Sequence, residues 1–155
     1  MFTKLLLIVA LAIAAQSQSY EAKVIAAVLV GEAGNQGTAG LSAVAEVIRQ
    51  RCVEMRKTPL QVVLASNRAG CHAFSCLNRT SPARLILKHQ KREPKEFQIA
   101  LNLADRLLRA PHTLPYATKQ ATHFTRKEEK PWWAKGHRPV VIIKDHAFYR
   151  LPKQL

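Results

Sequence analysis

One carboxylate stands inside a long apolar run. In "VIAAVLVGEAGNQG", Val24 to Gly37, Glu32 is the sole charged residue, and it falls where the chain turns to glycine. The spacing is helical: Ile25, Val28, Leu29 and Glu32 stand at i, i+3, i+4 and i+7, which puts Glu32 on the face that should meet a core. A carboxylate is seldom placed there without a reason. Partial burial disfavours the anion, and the negative end of the helix dipole does the same, so both should raise its pKa. A glutamate held partly protonated near neutral pH suits general acid catalysis. Two other readings fit the same spacing: pairing with a buried arginine, Arg49 or Arg51, or a side chain that reaches solvent at the helix end.

The other reactive residue types point nowhere as directly. The three cysteines, Cys52, Cys71 and Cys76, match no zinc pattern, and the six histidines have no metal-ligand spacing. No metal and no cofactor is expected. Cys71 and Cys76 lie close enough for a small disulfide staple, and three separate thiols are the alternative.

The elements that must position Glu32 are readable from pattern. Ala22 to Ala33 reads as a helix stopped by Gly34. A second helix, about Thr38 to Cys52, carries Leu41, Val44, Ala45 and Ile48 as an amphipathic stripe. Thr58-Pro59-Leu60-Gln61 is a capping box with proline at the first helical position, opening a short helix to about Ala65. "SNRAGCHAFSCLNRTS" reads as a loop. Ser81-Pro82 opens another short helix with Leu85 and Ile86. Pro94 opens what reads as the longest helix, with Phe97, Leu101, Ala104 and Leu108 buried and Ala110-Pro111 at its end. After Pro115, "ATHFT" (Ala121 to Thr125) and "VVIIKDHAFYR" (Val140 to Arg150) read as strands. The loop between them carries Trp132 and Trp133. The fold class is α+β, a mostly helical body with a small antiparallel sheet near the C-terminus.

The ends and the charge bound the setting. Lys4 precedes eleven apolar residues, Leu5 to Ala15, followed by polar "QSQS". That run is too short to cross a bilayer and fits a signal-peptide core, with cleavage at Ala12-Ile13-Ala14 or Ser17-Gln18-Ser19. Residues 1–19 are therefore expected to be a leader and 20–155 one catalytic domain; an uncleaved anchor is the alternative. About 135 residues would remain, enough for one core. Cleavage would send the domain to the cell envelope or outside, without a stable membrane span. The net charge is +14, which favours polyanionic partners. An exported protein meets them in the envelope rather than as nucleic acid.

The segment "VLVGEAGNQGTAGLSAVAEVIRQRC" resembles the opening of the SleB/CwlJ-type cell wall hydrolases. Gly31-Glu32-Ala33 matches the family's Gly-Glu-Ala, Val44, Val47 and Ile48 match its second helix, and Gln50-Arg51 stands where Asn-Arg is usual. "ATHFTRKEEKPWWAKGHRPVVIIKDHAFYR" is similar to its closing segment, through His123-Phe124, Trp133 and His146-Ala147-Phe148-Tyr149-Arg150. Phe74-Ser75 matches the Gln-Phe-Ser element between them. The likeness spans about Val24 to Arg150. It implies a lysozyme-like fold, cleavage of the glycan strand of peptidoglycan, and Glu32 as the catalytic acid. Two departures stand out. Asn35 and Gln36 occupy the turn where the family often has a second glutamate, and the turn before the terminal histidine is altered at Lys144.

Glycoside hydrolysis usually uses two carboxylates. Besides Glu32, the plausible acids are Glu46, Glu54, Asp105, Glu128, Glu129 and Asp145. Glu46 reads as solvated, Glu128 and Glu129 sit in a charged loop, and none pairs obviously with Glu32. A single acid points to a lytic transglycosylase, with a simple muramidase as the close alternative. Trp132, Trp133, Phe124 and Tyr149 could stack on pyranose faces or be core. His146 could bind substrate, orient Glu32, or serve the last strand, and His72, Ser75 and His123 could rim the cleft. The expected partners are peptidoglycan and anionic envelope polymers, with no nucleic acid, acting as a monomer. A basic, aromatic-bearing module that binds without cutting is the competing class, as is an inactive relative of the enzyme.

Overall fold

The computed structural model describes residues 19–152. The leader expected at residues 1–19 lies outside the described residues except for Ser19. That residue caps the first helix, its hydroxyl accepting from the Ala22 N–H at 3.2 Å.

Among the described residues, five α-helices are followed by three strands: α1 (Tyr20–Ala33), α2 (Gly37–Met55), α3 (Pro59–Val63), α4 (Pro82–Arg92), α5 (Pro94–Arg109), β1 (His123–Arg126), β2 (Val141–Ile143) and β3 (His146–Tyr149). The mostly helical α+β class and the order of elements are as the sequence predicts. The capping box of α3 forms in both directions, with the Gln61 N–H donating to Thr58 Oγ1 at 3.3 Å and the Thr58 N–H to Gln61 Oε1 at 3.0 Å. The longest helix is α2 rather than α5, with 19 residues against 16.

Helix α1 is the axis of the molecule. It packs against α5, α4 and α2. Every residue from Val24 to Val30 is buried, so α1 has no polar side and the stripe through Ile25, Val28 and Leu29 is only part of a wholly apolar surface. Such a helix belongs in the middle of a core. Leu41, Val44, Ala45 and Ile48 of α2 face it, all fully buried as expected. On α5, Phe97, Leu101 and Ala104 are buried, but Leu107 rather than Leu108 completes the face.

The sheet has strand order β1-β3-β2, antiparallel throughout. The segment Val140 to Arg150 is a hairpin and not one strand: Ile143 pairs with His146 across a two-residue turn. Lys144 takes the left-handed conformation there, φ +55°. No Asn-Gly or Asp-Gly marks that turn in the sequence, which hid it. β3 is central and all four of its residues are buried. Its Phe148 fills a second, smaller core with Ala43 and Val47 of α2 and Ala121.

Helix α2 also clamps the connection into the sheet. Glu46, expected at the surface, is 1% exposed; its Oε2 accepts from both the N–H and the hydroxyl of Thr118, each at 2.8 Å. One turn on, Arg49 donates to the carbonyls of Pro111 and Leu114 and lies 4.0 Å over the Tyr116 ring. The periodicity was right about the α1-facing stripe. It missed Glu46 because the sheet and its connection cover α2 from a second side.

Candidate active site

The groove is built from three parts of the chain. Its helical wall is the end of α1 with the short turn Ser75–Asn78 and α4; its other wall is β1, the first residue of β3, and the loop after β1. It encloses about 880 Å³, with Glu32, Ser75, Cys76, Phe124, Trp133 and His146 among its lining. A second cavity of about 290 Å³ continues from it, sharing Glu32, Arg126 and His146. Glu32 therefore stands where the two meet.

The Glu32 side chain is half-buried and faces this groove, not the core. The apolar stretch Val24–Val30 of α1 must leave the core at its C-terminal end, and Glu32 lies just past that exit. Its Oε1 accepts from the Cys76 N–H at 3.0 Å and from the Ser75 hydroxyl at 3.2 Å. Both of these bonds fall on Oε1. The Ser75 turn can come this close because residue 31 is glycine. A Cβ at Gly31 would stand 2.8 Å from Cys76 Cβ and 3.0 Å from its Sγ.

Neither candidate arginine pairs with Glu32. Arg49 is engaged with the 111–116 segment. Arg51 donates to the Thr122 carbonyl at 2.6 Å and stands over Phe74, behind the groove. Burial holds its guanidinium below its usual pKa, and the nearby negative charge of Glu32 partly offsets this.

Three of the seven aromatic and histidine candidates meet here. Phe124 and Trp133 line the groove, and His146 lies edge-on to Phe124 at 5.4 Å. His146 is 6% exposed and its Nδ1 has no partner among the described residues. Burial lowers its pKa, against the opposing effect of Glu32. A neutral imidazole is therefore favoured beside the carboxylate. Trp132 and Tyr149 are not on this groove. Trp132 points into water, 81% exposed, and Tyr149 is buried edge-on against Trp133 at 5.4 Å. The dipeptide Trp132-Trp133 opens a tight 3₁₀ turn, so consecutive side chains diverge. His72 is not among the groove's lining, and His123 lies on a separate cavity with Arg51 and Glu54.

The expected Cys71–Cys76 staple is absent: all three cysteines are free. Cys76 is turned toward Glu32 and Gly31 while Cys71 is exposed on the loop. Burial first, and then Glu32, push the Cys76 thiol far above the usual range, so it is a poor nucleophile here. Among the described residues no cluster of three His, Cys, Asp or Glu has the geometry to hold a metal.

Sequence reasoning misses two groups on the main groove, and also Glu128 and Asp145, which line the smaller cavity with Glu32. Glu129, set aside in a charged loop, borders the same groove as Glu32, with Thr125 Oγ1 donating to its Oε2 at 2.6 Å. The loop folds back along β1, a tertiary event with no local signal. His89 also reaches the groove from α4; it is 3% exposed, Glu93 holds its Nδ1, and its Nε2 has no partner among the described residues.

The first departure from the family pattern, at Gln36, meets the turn that carries the second, through Asp145 beside Lys144. Gln36 is buried; its Oε1 accepts from the Asp145 N–H at 3.0 Å and its Nε2 donates to Asp145 Oδ2 at 3.3 Å. The side chain in the turn after α1 thus clasps the altered β2–β3 turn, next to His146. A glutamate at position 36 could not donate and would face the Asp145 carboxylate. Gln36→Glu is expected to lower the Tm by several degrees at neutral pH, with the deficit shrinking at acid pH where the carboxylates protonate. Adding Asp145→Asn should restore most of it; thermal unfolding of the single and double variants checks this.

A pH effect follows from His123, which packs on Trp133 at 5.2 Å. Burial chiefly, with Arg51, lowers its pKa from the unfolded value of 6.5 to about 4. Its neutral form is the stable one, so its contribution is present above pH 6.5 and is lost as pH falls toward 4. His123→Gln should flatten this acid limb in a plot of Tm against pH. An unchanged limb would assign the loss to other groups.

The family model described as Cell Wall Hydrolase matches residues 35–149 of the chain. That span holds Ser75, Phe124, Glu129, Trp133 and His146, and begins three residues after Glu32. No curated protein matches the chain. No solved structure matches it. Among the described residues no helix is long and apolar enough to cross a membrane.

Proposed function

Since the chain belongs to the family of cell wall hydrolases, we propose that it cleaves the glycan strand of peptidoglycan between N-acetylmuramic acid and N-acetylglucosamine, as a lytic transglycosylase with Glu32 as acid and base. The observation that carries this reading is the position of Glu32. It is the carboxylate that lines both the main groove and the smaller cavity beside it, and Ser75 and Cys76 fix it through one oxygen. Glu32 gives its proton to the glycosidic oxygen as the bond to the muramic acid C1 breaks. The resulting carboxylate then takes the proton of the C6 hydroxyl, whose oxygen closes onto C1. The product is a 1,6-anhydro sugar, water is not consumed, and Glu32 is left protonated as it began. Phe124 and Trp133 offer ring faces to the sugars, and His146 offers an uncharged nitrogen beside the carboxylate.

Hydrolysis is the second reading, and Glu129 is the observation that favours it. A second carboxylate on the same groove could serve as base for a water. Digestion of purified sacculi followed by mass spectrometry separates the two. Anhydro-muropeptides support the transglycosylase, reducing ends the hydrolase. Sacculi bound but not cut would overturn both in favour of a binding module.

The leader at residues 1–19 and export to the envelope belong to the same proposal. Amino-terminal sequencing of the protein recovered from its producing cell tests it.

A further inference from the structure

The loop after β1 bears a feature the cleavage chemistry does not use. Trp132 is 81% exposed, although its neighbour Trp133 is packed. Burial of an indole's apolar surface is stabilising, so a fold that holds one in water forgoes that stabilisation. The loop is not loose. Three successive backbone bonds tighten it: Ala134 N to Pro131 O at 2.9 Å, Lys135 N to Trp132 O at 3.2 Å, and His137 N to Ala134 O at 3.0 Å.

Trp132 lines a depression of about 460 Å³ with Lys130, Lys135, His137 and, at its base, Tyr149. No carboxylate lines it among the described residues. Pro131 borders both this depression and the Glu32 groove, so the two are neighbours on the surface. A neutral sugar needs the indole but not the lysines. An occupant with negative charge, attached to whatever lies in the groove, accounts for both.

We propose that this depression binds the carboxylate-bearing peptide stem of the glycan strand held in the groove, so that the enzyme favours stem-substituted over naked glycan. The inference rests on the peptidoglycan reading above. Lys130 and Lys135 would meet the stem carboxylates, and Trp132 would cover its aliphatic side chains. A free phosphate polymer of the envelope has the same charge but no covalent tie to the groove's occupant.

The test is binding, which does not depend on cleavage. The full chain carrying Glu32→Gln is titrated onto intact sacculi, onto sacculi stripped of stems by an amidase, and onto purified teichoic acid. Intact sacculi should bind roughly fivefold more tightly than stripped ones, the scale of one to two exposed charge pairs. Lys130→Glu with Lys135→Glu should abolish that difference while leaving the Tm and binding to stripped sacculi intact. Equal binding of stripped and intact sacculi, equal loss on both, or a preference for teichoic acid would overturn the proposal. Digestion by the chain with Glu32 intact is run alongside. If no muropeptide is released there, the catalytic reading fails while the binding arms still decide the stem site.

Discussion

Glu32→Gln is expected to reduce release of soluble muropeptides from sacculi by about 10³-fold, within the range assigned to a positioned proton donor. The substitution keeps the size of the side chain. Its amide oxygen can still accept from the Cys76 N–H and the Ser75 hydroxyl, so the groove should keep its shape. What is lost is the proton the leaving oxygen needs and the base that the second half of the reaction needs. Sacculus binding and Tm should stay close to those of the parent chain. Their retention assigns the loss to chemistry. A variant that keeps a tenth or more of the parent rate would show that Glu32 is not the acid, and Glu129 on the same groove would then be the next carboxylate to replace.

Glu46→Ala should be strongly destabilising although it lies away from the groove, costing about 3 kcal/mol. The Glu46 carboxylate is buried and takes two hydrogen bonds from Thr118. Truncation strips both donors of their acceptor and leaves a cavity between α2 and the segment entering the sheet. Relief of burying the carboxylate offsets part of the loss. A fall in Tm on the order of 10 °C follows for a domain of this size. Glu46→Gln keeps an acceptor for Thr118 and should cost less. Equal or higher stability of the alanine variant would mean that α2 is not held to the sheet connection through this pair.

Local rules served the helices well because their causes are local. The Thr58–Gln61 capping box, the proline starts of α4 and α5, and the α1-facing stripe of α2 depend on residues within a turn or two of each other. The same rules failed where distant segments meet. Glu46 read as solvated because a single stripe was drawn on a helix that is covered on two sides. Glu129 read as a loop charge because nothing near it in sequence reveals that the loop folds along β1. The Lys144 turn was hidden because its residue pair is not a standard hairpin signal, and its partner, Gln36, is more than a hundred positions away.

The sequence by itself determined that α1 is an apolar helix ending in a lone carboxylate, that the body is helical with a late small sheet, and which family the motifs resemble. These rest on spacing, caps and residue types, which act at short range. The tertiary structure decided what that carboxylate meets. It turned Glu32 out of the core into a groove, set the Ser75–Cys76 turn against it across Gly31, brought Glu129 to the same groove, and split Trp132 from Trp133. Those outcomes depend on where separate elements pack, and packing is settled by the shapes of buried surfaces rather than by any local pattern.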